Sequence, residues 1–161
     1  MARTCPRQIT PEEAWQITCH EAGHSIVAAR LGLPFQRVVR GDGEHGEVEV
    51  CWSPVDDGPT RDRDQDVLSR WQQFYAAGAA TEILLFDSYR AFASRHDQAC
   101  HDLIEKRRCP IRADAWEQDI RLAKQILDRD SVDTVARELA RRGELSDKEV
   151  CELLKCPLSW E

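Results

Sequence analysis

Apolar positions set the first element. Trp15, Cys19, Ala22, Ile26 and Ala29 recur at helical spacing, and Ile17, Val27 and Leu31 form a second stripe beside them. A helix that is apolar on two sides is buried against several partners. Its start is written in I-T-P-E-E-A-W: Thr10 caps, Pro11 suits the first helical position, and Glu13 completes a T-x-x-E box. Gly32 and Pro34 end it. The pattern predicts one long helix over 10–32.

The pattern then changes. Two β-rich runs, Phe35–Arg40 and Glu47–Trp52, flank a Gly-Asp-Gly turn and predict a small hairpin or short sheet over 35–52. Residues 53–66 are polar and marked by Pro and Gly, and read as a loop. Helical spacing returns over 66–108. Val67, Leu68, Trp71, Phe74 and Tyr75 lead into A-A-G-A-A-T-E-I-L-L-F, whose small residues Ala76 to Ala80 permit close helix–helix approach. Asp87 to Ala93 form a connection, Ser94 can cap the next helix, and Cys109-Pro110 stops it. Three more helices are expected over 114–156. Asp114 with Glu117 and Ser146 with Glu149 stand in capping-box spacing, and Gly143 closes the middle one. The expected fold is mainly α: one helical domain over 1–161 with a small β region after the first long helix, and a C-terminal helical bundle. No internal repeat or long linker divides it.

Composition narrows the function classes. The chain has 161 residues and a net charge of 22 − 29 = −7, which argues against a nucleic-acid partner. Lys106-Arg107-Arg108 is too short for a basic stripe and reads as a solvated helix end. The most apolar window, Phe74 to Phe86, is too short to span a bilayer and contains Glu82, so no membrane association is expected. The N-terminus lacks the apolar core of a signal peptide, which makes the cytoplasm the default compartment. Seven cysteines occur without a C-x-x-C pair, and free buried thiols are the expectation. Cys151 and Cys156, five apart, are the one pair placed for a local disulfide or metal clip.

The chemistry lies in Cys19–Ser25, C-H-E-A-G-H-S. On a helix His20 and His24 stack on one face, where two imidazoles can hold one zinc ion. Glu21 points about 100° round the helix. It is placed to act on a water at the metal's open position as a general base, the division of labour in H-E-x-x-H metallopeptidases. Gly23 costs about 1 kcal/mol mid-helix relative to Ala, so its presence asks for close approach of a neighbour. A hydrolytic zinc usually takes a third protein ligand. His45, His96, Asp97, His101 and Asp102 are the candidates, and the patch H-D-Q-A-C-H-D is the densest; local spacing does not choose among them.

These blocks together resemble a family. I-T-C-H-E-A-G-H-S-I-V-A-A-R-L-G-L-P resembles the start of the peptidase domain of FtsH-type zinc metalloproteases. H-G-E-V-E-V is similar to that family's strand after the first turn, G-A-A-T-E-I-L-L-F to its G-R-A-A-E-E-aliphatic segment, and L-S-D-K-E-V-C-E-L-L to its last helix. S-R-H-D-Q-A-C stands where the family has a short stretch ending in Asn-Asp. The resemblance covers most of the chain and implies Asp97 as third zinc ligand. It also implies a supporting role for Glu82, orienting a zinc-bound histidine; a helix-surface or capping charge is the other reading of Glu82. Family members carry a membrane anchor and an ATP-driven unfolding module, and this chain has neither, nor a phosphate-binding loop. Ala79 replaces the family's Arg, and F-A-S-R-H replaces its Gly-Ala-Ser.

The expectation is therefore an ATP-independent zinc metalloendopeptidase acting on peptide or unfolded protein substrates, with His20, His24 and Asp97 as ligands and Glu21 as base. The alternative is a non-catalytic, metal-stabilised peptidase-like module that binds a partner. A thiol-based redox regulator rests on the cysteines alone. Cleavage preference, oligomeric state and an ATPase acting in trans are not legible in the sequence.

Overall fold

The computed structural model describes residues 8–41, 46–56 and 64–156. Helix α1 spans Pro11–Leu31 and opens with the expected box: Thr10 Oγ1 accepts from the Glu13 amide, and the Glu13 side chain accepts from the Thr10 amide. Gly32 ends it in the left-handed region at φ 68, a conformation that costs glycine little. Strands β1 (Phe35–Val39) and β2 (Glu47–Val50) follow. Then come α2 (Gln65–Phe86), α3 (Arg95–Glu105), α4 (Ala115–Ile126) and α5 (Arg129–Arg142). A third strand, β3 (Glu144–Ser146), precedes α6 (Asp147–Leu154). The fold is mainly helical with one small antiparallel sheet, as the periodicity predicts.

The sheet differs from a simple hairpin. Its order is β2-β1-β3, both pairings antiparallel. Strand β3 interrupts the stretch expected to be helical bundle. Gly143, at φ 84, turns the chain out of α5, and Leu145 pairs with Val38, both fully buried. A strand of three residues with one buried side chain carries no readable period. Arg37 on β1 ties the three strands on their exposed face, forking to Glu49 (2.8 Å twice) and reaching Glu144 (2.9 Å). Among the described residues β2 is an edge of the sheet.

Helix α1 runs through the core, which draws on every helix and on β1 and β3. It packs most closely on α2 through small residues. Ala76, Ala77, Ala79 and Ala80 are fully buried, and a Cβ at Gly23 would lie 1.9 Å from Thr81 Oγ1. The glycine that is costly in a helix is thus explained by the approach it permits. Trp71, Ile26 and Leu68 fill the space beside this seam, each contributing about 1.5–3 kcal/mol by burial.

Helix α3 is short and polar, and a buried ionic cluster secures it. Glu105 accepts from Gln72 Nε2 (2.6 Å), Arg112 Nη2 (2.8 Å) and the Arg112 amide (2.7 Å). Asp119 accepts from Arg112 Nη2 (2.7 Å) and His101 Nε2 (2.8 Å). The Lys106–Arg108 stretch is not merely a solvated helix end. Arg107 donates to the Pro54 carbonyl, and Arg108 to Ser69 Oγ (2.9 Å) and Gln72 Oε1 (2.7 Å), which ties the start of the 53–66 loop and α2 to this cluster.

Two expected caps differ. Asp114 precedes α4 but accepts no capping bond from its backbone, and the Ser94 hydroxyl, buried at the start of α3, has no hydrogen-bond partner among the described residues. The Ser146–Glu149 box forms as expected. The thiols divide: Cys19, Cys100 and Cys151 are buried, but Cys51 and Cys109 are exposed and Cys156 is half-buried. These six are free, so Cys151 and Cys156 are not joined. Cys5, the Gly-Asp-Gly turn beyond Gly41, His45 and residues 57–63 of the loop lie outside the described residues. Among the described residues no helix is long and apolar enough to cross a membrane.

Candidate metal centre

The helical period of α1 puts His20 and His24 on one face, turned toward α2 and α3. Both are buried, at 4% exposure each. Their Nε2 atoms lie 3.1 Å apart, and each lies 3.2 Å from Asp97 Oδ2. Asp97 sits in the first turn of α3. The three atoms form a nearly equilateral triangle. Tetrahedral zinc with bonds of about 2.0–2.1 Å separates its ligand atoms by about 3.3 Å. The triangle therefore has the size the ion needs.

Hydrogen bonding fixes which ring nitrogens face inward. His24 Nδ1 lies 2.7 Å from the Phe74 carbonyl oxygen, which can only accept, so this nitrogen carries the proton. His20 Nδ1 donates to Glu82 Oε1 at 2.9 Å. In neutral imidazoles both Nε2 atoms are then lone pairs aimed at one another and at a carboxylate oxygen. Three converging acceptors demand a cation. A proton on the rings answers the same demand: burial opposes a protonated His20, but hydrogen bonds to Asp97 and Glu82 outweigh it and raise its pKa to about 10. Against protonated rings the burial of Asp97 is likewise outweighed: the neighbouring His24 and hydrogen bonds from both histidines hold its carboxyl well below the usual carboxylate range. His20, His24 and Asp97 thus form a group that could hold a metal ion, and the donor set of two imidazoles and a carboxylate fits zinc.

The supporting groups are positioned as closely. Glu82, on α2 one turn after Gly78, also accepts from Arg90: the amide donates to Oε2 (2.7 Å) and Nη2 to Oε1, the oxygen that His20 uses (2.9 Å). Burial would raise Glu82, but the bonds from His20 and Arg90 lower it, so it is an acceptor for His20. A Cβ at Gly78 would lie 2.2–2.6 Å from the His20 ring atoms; the missing side chain is where the imidazole sits. A Cβ at Gly46 would lie 2.3 Å from Glu21 Cγ. β2 thus begins against the Glu21 side chain.

Glu21 is 9% exposed and stands beside the triangle rather than in it. Burial raises its pKa above the ordinary carboxylate value, and the His20 and His24 charges oppose that rise. Both groups open on a groove of about 1140 Å³. The strand Glu47–Val50, Arg90 and Phe92 from the α2–α3 connection, and Arg95 and His96 from the start of α3 line it.

The remaining ligand candidates are placed elsewhere. His96 is exposed on the groove wall, its Nε2 3.6 Å from Cys100 Sγ. His101 is turned into the core, toward Asp119. Asp102 is exposed. Sequence reasoning missed the Phe74 carbonyl, a backbone group no residue code signals, and Arg90. The one available signal for the His20 berth was a glycine in the middle of α2.

No family model matches the chain, and no curated protein matches it in sequence.

Proposed function

We propose that this chain is a zinc-dependent endopeptidase that resembles the FtsH-type peptidase domain. The observation that supports it most is the convergence of His20 Nε2, His24 Nε2 and Asp97 Oδ2 beside a buried carboxylate in an open groove. A metal-stabilised binding module needs the triangle but has no use for Glu21, which is costly to bury unpaired.

Bound zinc supplies a water of lowered pKa and a Lewis acid for the substrate carbonyl. The chain's own residues do the rest. His20, His24 and Asp97 would hold the ion, while Glu82 and the Phe74 carbonyl keep both imidazoles in the ligating tautomer. Glu21 takes the proton of the attacking water and delivers it to the leaving amine. Burial keeps Glu21 basic enough for that transfer. The outer edge of β2, unpaired among the described residues, accepts an extended peptide by strand addition, which aligns the scissile bond over the triangle. The substrate must be unfolded locally, because a folded chain cannot present an extended strand in the groove.

The test is hydrolysis of a quenched-fluorescent library of unstructured peptides by three samples: zinc-loaded protein, chelated protein and Glu21→Gln. Cleavage by the first alone is expected, with a loss of about 10²–10⁴-fold in the variant. Equal rates in all three would remove the peptidase reading. Zinc binding without any cleavage would leave the partner-binding module.

A further inference from the structure

The groove is lined by carboxylates and by two arginines. Strand β2 presents Glu47, whose charge acts on Glu21, and Glu49, which is already paired with Arg37. The two arginines are Arg90 and Arg95. Arg90 is committed to Glu82 through its amide and its guanidinium. Arg95 lines the groove exposed to solvent, and no carboxylate among the described residues pairs with it. Most arginines of the described chain do find acidic or carbonyl partners: Arg30, Arg37, Arg70, Arg112, Arg137, Arg141 and Arg142 bond to carboxylates, and Arg40 and Arg107 to carbonyls. In a chain of net charge −7, an arginine beside the site with no such partner stands out.

Its neighbour strengthens the point. The Arg95 guanidinium carbon lies 6.0 Å from the centroid of the Phe92 ring, and Phe92 is 77% exposed, the most exposed large apolar side chain of the described residues. A ring under the guanidinium limits the orientations of the fork and leaves its N–H edge free. A planar fork of donors held on an aromatic face matches a carboxylate, which it can bind through two parallel hydrogen bonds.

We infer that Arg95, steadied by Phe92, reads a carboxylate on the bound peptide and makes this a groove for peptides acidic close to the scissile bond. The inference rests on the groove being a peptide site. Arg95 and Asp97 line the same groove, and an extended peptide advances about 3.3 Å per residue, so the carboxylate read by Arg95 belongs to a position near the bond over the metal. The carboxylate can belong to an Asp or Glu side chain or to the peptide's C-terminus, and the two are separable.

The experiment uses zinc-loaded Glu21→Gln protein, so that peptides stay intact, and fluorescein-labelled unstructured decapeptides. In one series a single Glu is stepped along the peptide and compared with Gln at the same position. In a second series the C-terminus is a free acid or an amide. Anisotropy titrations give affinity ratios within each protein. At one or two adjacent positions the Glu peptide is expected to bind about threefold to fivefold tighter than its Gln partner. The ratio should fall toward one at high salt, vanish in Arg95→Ala, shrink in Arg95→Lys and invert in Arg95→Glu. Because each ratio is internal to one variant, a general loss of binding cancels. A preference confined to the free-acid series assigns the C-terminal carboxylate instead. A Glu-to-Gln ratio and an acid-to-amide ratio both unchanged by Arg95→Ala would overturn the inference, as would no binding of any acidic peptide. Wild-type protein that binds acidic peptides with the expected ratio but never cuts them removes the peptidase reading alone.

Discussion

His20 Nδ1 donates to Glu82 Oε1 across 2.9 Å, and that single bond between α1 and α2 decides which nitrogen of His20 faces Asp97. Replacing the carboxylate by an amide in Glu82→Gln removes the charge that fixes the tautomer while keeping the shape. Metal affinity is expected to fall about 10–100-fold, read by competition with a chromophoric chelator. Helix content should not change. An unaltered affinity would mean that packing against Gly78 alone orients the ring.

Metal binding should appear as stability. A ligand that binds only the folded state adds about 2.7 kcal/mol at 100 times its Kd. Zinc is therefore expected to raise Tm in the wild type and in Asp102→Asn, whose side chain is exposed. It should do much less in Asp97→Asn, which keeps the size of the third ligand and loses its charge. Equal zinc-induced shifts in the two variants would exclude Asp97 as a ligand.

Two helical glycines should respond differently to alanine. In Gly23→Ala the new methyl would meet Thr81 Oγ1 at 1.9 Å and Thr81 Cβ at 2.8 Å. Overpacking of about 1–3 kcal/mol then outweighs the gain of about 1 kcal/mol in helix propensity. Thermal unfolding should show the loss, and a second change, Thr81→Ala, should return part of it. In Gly78→Ala the methyl falls on the His20 ring. There the expected loss is in metal affinity, beyond whatever happens to Tm.

The ionic cluster under α3 predicts an acid limb in stability. Burial would raise Glu105, but the bonds from Arg112 and Gln72 bring it from its ordinary 4.5 to about 2. A carboxylate whose folded pKa is depressed contributes stability that is complete above its unfolded value. That contribution is lost as pH falls from about 4.5 toward 2. Urea midpoints should drop across this window. Arg112→Met leaves Glu105 and Asp119 without their shared cation and is expected to cost about 3–5 kcal/mol at neutral pH. It should also flatten or reverse the acid limb, since protonating an unpaired buried carboxylate is then favourable.

The reach of the sequence is clearest in α1. Its caps, its two apolar stripes and the H-E-x-x-H spacing are local properties of one helix, and a helix of fixed pitch converts them directly into the stacking of His20 on His24. The same reasoning located α2, both strands of the first hairpin and the Ser146 box. It stopped where a feature depended on two distant segments. Local spacing placed Asp97 in a patch with His96, His101 and Asp102 without choosing among them, and only the family resemblance pointed to Asp97. The choice follows from how α3 lies on α2, which the Glu105, Arg112 and Asp119 cluster helps to hold. Strand β3 has one buried residue and exists because Val38 is there to pair with Leu145. The carbonyl of Phe74 and the space left by Gly78 and Gly46 have no code at all, because a backbone oxygen and a missing methyl acquire meaning only from what packs against them. The sequence by itself determined a capped helix bearing two histidines and a carboxylate, because those relations recur every turn. The tertiary structure decided the third acceptor, the tautomers and the charged lining of the groove, because each is a distance between segments that the chain brings together only on folding.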